Sequence, residues 1–240
     1  MKKIKMYLAT ICVCIGAIVN LKAQAENEGI FIINDKDGYT NIRESPDGKA
    51  KIIGKAYKHQ LLFRDDDGYE YDEDGVIEYE WQKNWIPVYN NSVRGYIYKK
   101  NTLGISKLSS LDRGFSDTII RAYNDSVEVI MKIVAFDPII DKKRLTDKKI
   151  LGESTHNVIS DPNTILGEIE INYKWGKTII TKHKLQNYYL AVWWMEVSIG
   201  QDGELYIHFA GGQGRNNISY DAWIVIFNAK IVQEILSPFT

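Results

Sequence analysis

From Ile30 to about Leu108, short apolar runs are cut by clusters of Gly, Asn, Asp and Pro. Ile30-Phe31-Ile32-Ile33 stops at Asn34-Asp35-Lys36-Asp37-Gly38, and Tyr39 to Arg43 stops at Ser45-Pro46-Asp47-Gly48. Ile52 to Ala56, Gln60 to Phe63, Trp85 to Tyr89 and Gly95 to Lys99 follow. Runs this short, separated by turn residues, predict strands of a small barrel or sandwich. Residues 109–116, rich in Ser with Asp112, Arg113 and Gly114, read as a linker.

The pattern resumes over 117–240 with longer runs. Thr118–Tyr123 and Val127–Phe136 flank Asn124-Asp125-Ser126, and Leu166–Tyr173 and Thr178–His183 flank Lys174-Trp175-Gly176-Lys177. Tyr188–Ser198 and Glu204–Ala210 flank a Gly/Asp turn, and Ala222–Phe227 and Lys230–Ile235 flank Asn228-Ala229. Four such pairs predict antiparallel hairpins, and no alternating helices are present to cover a parallel sheet. Only 137–165 reads as loop or short helix. The expected fold class is all-β: a small barrel over 26–108, then a second antiparallel β-rich domain over 117–240.

Composition adds little to this and contradicts none of it. With 240 residues, 45% hydrophobic and 25% charged, the chain is neither collagenous, rod-like nor wholly disordered. The N-terminus is more informative. Residues 1–25 carry Lys2, Lys3, Lys5 and Lys22 without an acid, an apolar stretch from Met6 to Val19, and Ala23-Gln24-Ala25. This pattern predicts a secretory signal peptide. The apolar stretch is shorter than the roughly 18–20 residues that span a bilayer, although an uncleaved anchor is the competing reading. A periplasmic or secreted protein is expected, with no transmembrane span once the signal is removed.

Export changes the chemistry available. Cys12 and Cys14 both lie in the segment to be removed. Cleavage also removes four of the 30 basic residues and none of the 31 acids, leaving a net charge of about −5. Mild acidity argues against a nucleic-acid partner.

The first segment resembles bacterial SH3-like domains. Gly38-Tyr39-Thr40-Asn41-Ile42-Arg43-Glu44-Ser45-Pro46 carries the Asn-aliphatic-Arg signature followed by a turn. Ile52-Ile53-Gly54-Lys55, Trp85-Ile86-Pro87-Val88 and Gly95-Tyr96-Ile97-Tyr98 then match later strands in family order. In such a barrel Ile42, Ile53, Val88 and Ile97 would point inward, and Gly95 would serve a tight turn before the last strand. Asn41 would satisfy a turn and Arg43 a nearby surface acid, or both would meet ligand. The resemblance implies a binding module of an exported protein, with cell-wall peptide or an envelope protein as partner. Its aromatic-lined groove would be supplied here by Tyr39, Trp85 and Tyr96, with Tyr69, Tyr71 and Tyr79 from an insertion. Trp85, at the head of a strand, fits core as well as groove.

That insertion, Arg64 to Glu80, departs from the family pattern and holds nine acids. Asp65-x-Asp67-Gly68 and Asp72-x-Asp74-Gly75 place carboxylates two apart, as calcium sites do, but the full EF-hand spacing is missing. Asp65, Asp67, Asp72 and Asp74 are weak calcium candidates beside the plainer reading of solvated turn residues.

Catalytic motifs are sparse. The mature chain has no cysteine nucleophile, no Gly-x-Ser-x-Gly elbow, and no zinc spacing among His59, His156, His183 and His208. Glu196, beside Trp193 and Trp194, is the best suspect for a glycosidase-like carboxylate pair, which leaves no local signature. His183 and His208 fall on adjacent expected strands. Phe209 to Asn217 reads as a Gly-rich connection bearing Arg215, a candidate ligand contact; the strand expected after it rules out a phosphate loop. No cofactor is expected. The leading expectation is an exported, non-catalytic binding protein. A cell-wall hydrolase using carboxylates of the second domain, and an inhibitor or immunity-type interaction protein, are the alternatives.

Overall fold

A computed structural model describes residues 29–68, 71–72, 75–76, 79–90, 93–116, 118–137, 139, 149–150, 153–154, 164–181, 192–213 and 218–238. Within them the chain is all-β and antiparallel, and helical backbone is confined to four short 3-10 turns. No helix among the described residues is long and apolar enough to cross a membrane. The expected signal segment lies outside the described residues. Contacts divide the chain into two units between Leu108 and Ser109.

The first unit contains β1 (Ile30–Ile33), β2 (Tyr39–Arg43), β3 (Ile52–Tyr57), β4 (Leu61–Arg64), β5 (Tyr71–Asp72), β6 (Gly75–Val76), β7 (Trp85–Asn90), β8 (Val93–Tyr98) and β9 (Thr102–Gly104). Seven strands form one sheet in the order β3-β2-β8-β7-β4-β1-β9, and β5 with β6 makes a separate two-stranded ribbon. Among the described residues no pairing joins β3 to β9, so the ladder has two ends.

Ile33, Ile42, Ala56, Leu62, Ile86, Val88 and Ile97 form one buried cluster. Strand alternation puts their neighbours on the opposite face. Two expectations need correction. Ile42 pairs with Gly54 and Arg43 with Ile52, leaving Ile53 as the extra residue of a bulge. Its side chain is 36% exposed, and Ala56 fills the core from this strand instead. Gly95 serves no turn: it lies within β8 opposite Val88. A Cβ there would stand 2.5 Å from the Arg43 carbonyl oxygen and 2.8 Å from Ile42 Cγ2. The missing side chain is what lets β2 pass close against β8.

The second unit contains β10 (Ser109–Ser110), β11 (Asp112–Phe115), β12 (Ile119–Tyr123), β13 (Val127–Ala135), β14 (Lys149–Ile150), β15 (Glu153–Ser154), β16 (Thr164–Tyr173), β17 (Gly176–Thr181), β18 (Val192–Ile199), β19 (Leu205–Gln213), β20 (Ile218–Phe227) and β21 (Lys230–Pro238). Two five-stranded sheets, β10-β18-β19-β20-β21 and β11-β12-β13-β16-β17, share one core. Met131, Leu166, Ile169 and Ile171 fill it from one sheet and Met195, Val197, Ile207, Phe209 and Ile224 from the other.

Residues 109–115, expected to link the domains, belong to this second unit. Ser109 and Ser110 pair with Ile199 and Ser198, and Asp112–Phe115 pair with β12. Leu111 between them is 5% exposed and joins the core. The buried leucine also donates its backbone N–H to the Val197 carbonyl at 2.9 Å, alongside the ladder pairings of both short strands. The Gly-rich stretch also differs from expectation: Phe209–Gln213 continues β19, with Gly211, Gly212 and Gln213 paired to Tyr220, Ser219 and Ile218. Arg215 lies outside the described residues.

The outer face of the second sheet is charged by alternation. Glu170 meets Lys177 at 2.9 Å and Lys132 at 3.1 Å, and Lys132 also binds Glu168. Asn172 donates to Glu128 at 3.0 Å and to Glu170 at 3.1 Å. With Lys177 and then Lys132 favouring its ionised form, the Glu170 carboxyl is held down to about 2.

Candidate functional site

The face of the β7–β8 hairpin opposite the core carries the directly facing pairs Trp85/Tyr98, Pro87/Tyr96 and Tyr89/Arg94. Rings cover much of it. Trp85 and Tyr98 cross at 65° with centroids 5.5 Å apart, and Phe63 stacks on Tyr89 at 5.5 Å. Trp81, from a 3-10 turn at Glu80–Lys83, stands edge-on to Tyr96 at 5.4 Å and is itself stacked by Tyr79. Gln82 accepts from the Tyr79 backbone N–H and ties that turn closed.

Beside the Trp85/Tyr98 end lies a cleft of about 320 Å³ lined by Thr40, Asn41, Arg43, Gly48, Trp85, Tyr98 and Asn101. Four polar side chains and two rings thus come together from β2, the hairpin and the 3-10 turn Lys99–Asn101, with Gly48 of the turn after β2. Arg43 donates from Nη1 to the Ala50 carbonyl at 2.6 Å. It therefore anchors a backbone loop rather than the expected surface acid, because the bulge and turn bring Ala50 back over β2. Asn101 donates from Nδ2 to Thr40 Oγ1 at 2.9 Å.

Of the residues singled out from sequence, Trp85 lines the cleft and Tyr96 stands one pair along the same face. Tyr39 does not line it; its ring meets Tyr57 at 6.3 Å and the Lys55 ammonium at 4.1 Å. Tyr69 lies outside the described residues, as does the side chain of Tyr71. Asn101, Tyr98 and Trp81 were missed. Tyr98 was recoverable, since it is two positions from Tyr96 and so on the same strand face. Asn101 was not, because its place depends on how the hairpin folds back over β2.

The calcium candidates divide similarly. Asp67 meets Arg94 at 2.8 Å and Asp65 meets the same guanidinium at 3.5 Å. Asp66 is bound by Arg64 at 2.6 Å. A guanidinium already stands where Asp65 and Asp67 converge, supplied from β8 across the intervening β7, which local spacing does not reveal. Asp74 and the side chain of Asp72 lie outside the described residues. Burial, with the Asp65 charge next, pushes the Tyr89 phenol up.

In the second unit, Glu196 faces His208 across β18 and β19, and His208 faces Trp223 across β19 and β20. His208 Nε2 is 3.0 Å from Asp221 Oδ1. Its ring is stacked on Trp223 at 4.0 Å and met edge-on by Trp194 at 4.8 Å. Glu196 accepts from Ser110 Oγ at 3.2 Å. Burial outweighs the attraction of Asp221 and Glu196 and pushes the His208 imidazole below its ordinary value. His183 lies outside the described residues. Compared with known proteins, the chain matches no family model and no curated protein.

Proposed function

We propose that this chain is an exported, non-catalytic binding protein whose first unit is an SH3-like module taking cell-wall peptide in the cleft beside Trp85 and Tyr98. One observation carries the reading: two aromatic rings form a wall against which Asn41, Arg43 and Asn101 present donors and acceptors. Apolar walls with a few convergent polar groups suit short peptides, whose backbone amides need partners and whose side chains need cover. Clefts of small ligands run from about 300 to 1,000 Å³, so one of about 320 Å³ admits a peptide end or a residue or two.

Pull-down of the mature protein on isolated peptidoglycan tests this. Retention that Trp85→Ala with Tyr98→Ala abolishes, without loss of fold, supports the proposal. No retention overturns the wall ligand. Clearing of peptidoglycan in a zymogram would point instead to the hydrolase reading.

A further inference from the structure

We infer, resting on that reading, that the cleft recognises a free carboxylate of its peptide through Arg43. The first ground is charge. Arg43 is half-buried, and among the described residues no carboxylate lies within ion-pair distance of it. The other two arginines of this unit show the contrast: Arg64 and Arg94 both pair with acids. An anion joining such a half-buried cation gains charge-assisted hydrogen bonds without first displacing another acid.

The second ground is geometry. The bond from Nη1 to the Ala50 carbonyl fixes the guanidinium against the turn, leaving Nε and Nη2 to a ligand. Guanidinium forks match carboxylates with two parallel bonds once their orientation is set. Asn41 lies two residues away on the same strand, and its amide has no partner among the described residues. Asn101 spends one N–H on Thr40, which leaves its carbonyl oxygen as an acceptor. A carboxylate on Arg43 therefore has an amide donor and an amide acceptor nearby for the adjoining peptide group, and the Trp85/Tyr98 wall for a side chain.

The third ground is the count of charges. Among the described residues lining the cleft, Arg43 alone is charged. A single cation among neutral amides suits a singly charged carboxylate better than a phosphate, which is usually held by several cations or a run of backbone N–H groups.

The experiment uses soluble peptides released from bacterial walls, before and after conversion of their carboxyl groups to amides, titrated against the mature protein by tryptophan fluorescence. The native peptides should bind at least tenfold more tightly than the amidated ones. Arg43→Met should bring the two forms level, with thermal melting confirming that the variant is folded. The comparison of peptides needs no variant, so it stands even if Arg43→Met fails to fold. Equal binding of both forms, lost in Trp85→Ala, would overturn carboxylate recognition and leave peptide binding standing. If neither form binds, peptide binding itself fails. Displacement by inorganic phosphate at concentrations comparable to the peptide would assign the site to phosphate and also overturn the inference.

Discussion

A methyl group on Gly95 would lie 2.5 Å from the carbonyl oxygen of Arg43, closer than real Cβ contacts come. These residues sit on neighbouring strands, and Arg43 pairs with Tyr96, the next residue along. The backbone that carries the cleft's cation is therefore seated against a position that tolerates only hydrogen.

Gly95→Ala should destabilise the first unit by about 1–3 kcal/mol, the usual cost of overpacking a close contact. Because the obstructing atom is backbone, side-chain rotation cannot relieve it. Chemical denaturation checks the stability, and ligand titration should show weakened binding where Arg43 is displaced. Unchanged stability would mean that β2 and β8 can separate freely.

Trp85 and Tyr98 should couple. Aromatic pairs in edge-on contact contribute roughly 0.5–1.5 kcal/mol beyond the area they bury. A double-mutant cycle with Trp85→Ala and Tyr98→Ala should recover an interaction of about that size, and additivity within error would show that the pair is only side by side.

His208 makes the second unit sensitive to mild acid. Its pKa is lowered on folding, chiefly by burial. The unfolded chain therefore takes up the proton first, and stability falls as pH drops below about 6.5, the ordinary histidine value. It levels off only once the folded form is protonated too. His208→Gln should flatten that part of the stability–pH curve. Denaturant melts between pH 8 and pH 5 read it directly, and a slope identical in both proteins would remove His208 as the cause.

Glu170 acts at lower pH and with the opposite origin. Its carboxyl is held near 2 first by Lys177 and then by Lys132. The stability this confers is complete above its unfolded value and is lost as pH falls from about 4.5 towards 2. Lys177→Met should raise the pKa of Glu170 and move acid unfolding to higher pH. Circular dichroism across an acid titration measures the midpoint, and no movement would show that Lys132 alone suffices.

The strands were legible because alternation is local. Ile30–Ile33, Tyr39–Arg43 and the Val127 and Lys230 strands are announced by their own residues and the turns around them, and so was the all-β, antiparallel class. Where a long-range contact outweighs local pattern, the sequence reading failed. The strands at 109–115 are not announced locally, because the core that Leu111 joins and the strand that pairs Ser109 and Ser110 come from residues far along the chain. Ile53 faces outward because a bulge, invisible in an alternating run, shifts the pairing of β3.

The cleft belongs to the same category. Asn41 lies some forty to sixty positions from Trp85 and Asn101, and only folding of β7–β8 against β2 brings them around one space. The sequence alone determined which segments become strands, because backbone geometry and side-chain alternation operate over a few residues. Tertiary structure decided which faces of those strands meet, where Arg43 finds its anchor and Gly95 its use, because those outcomes depend on distances between chains of atoms that sequence separation does not measure.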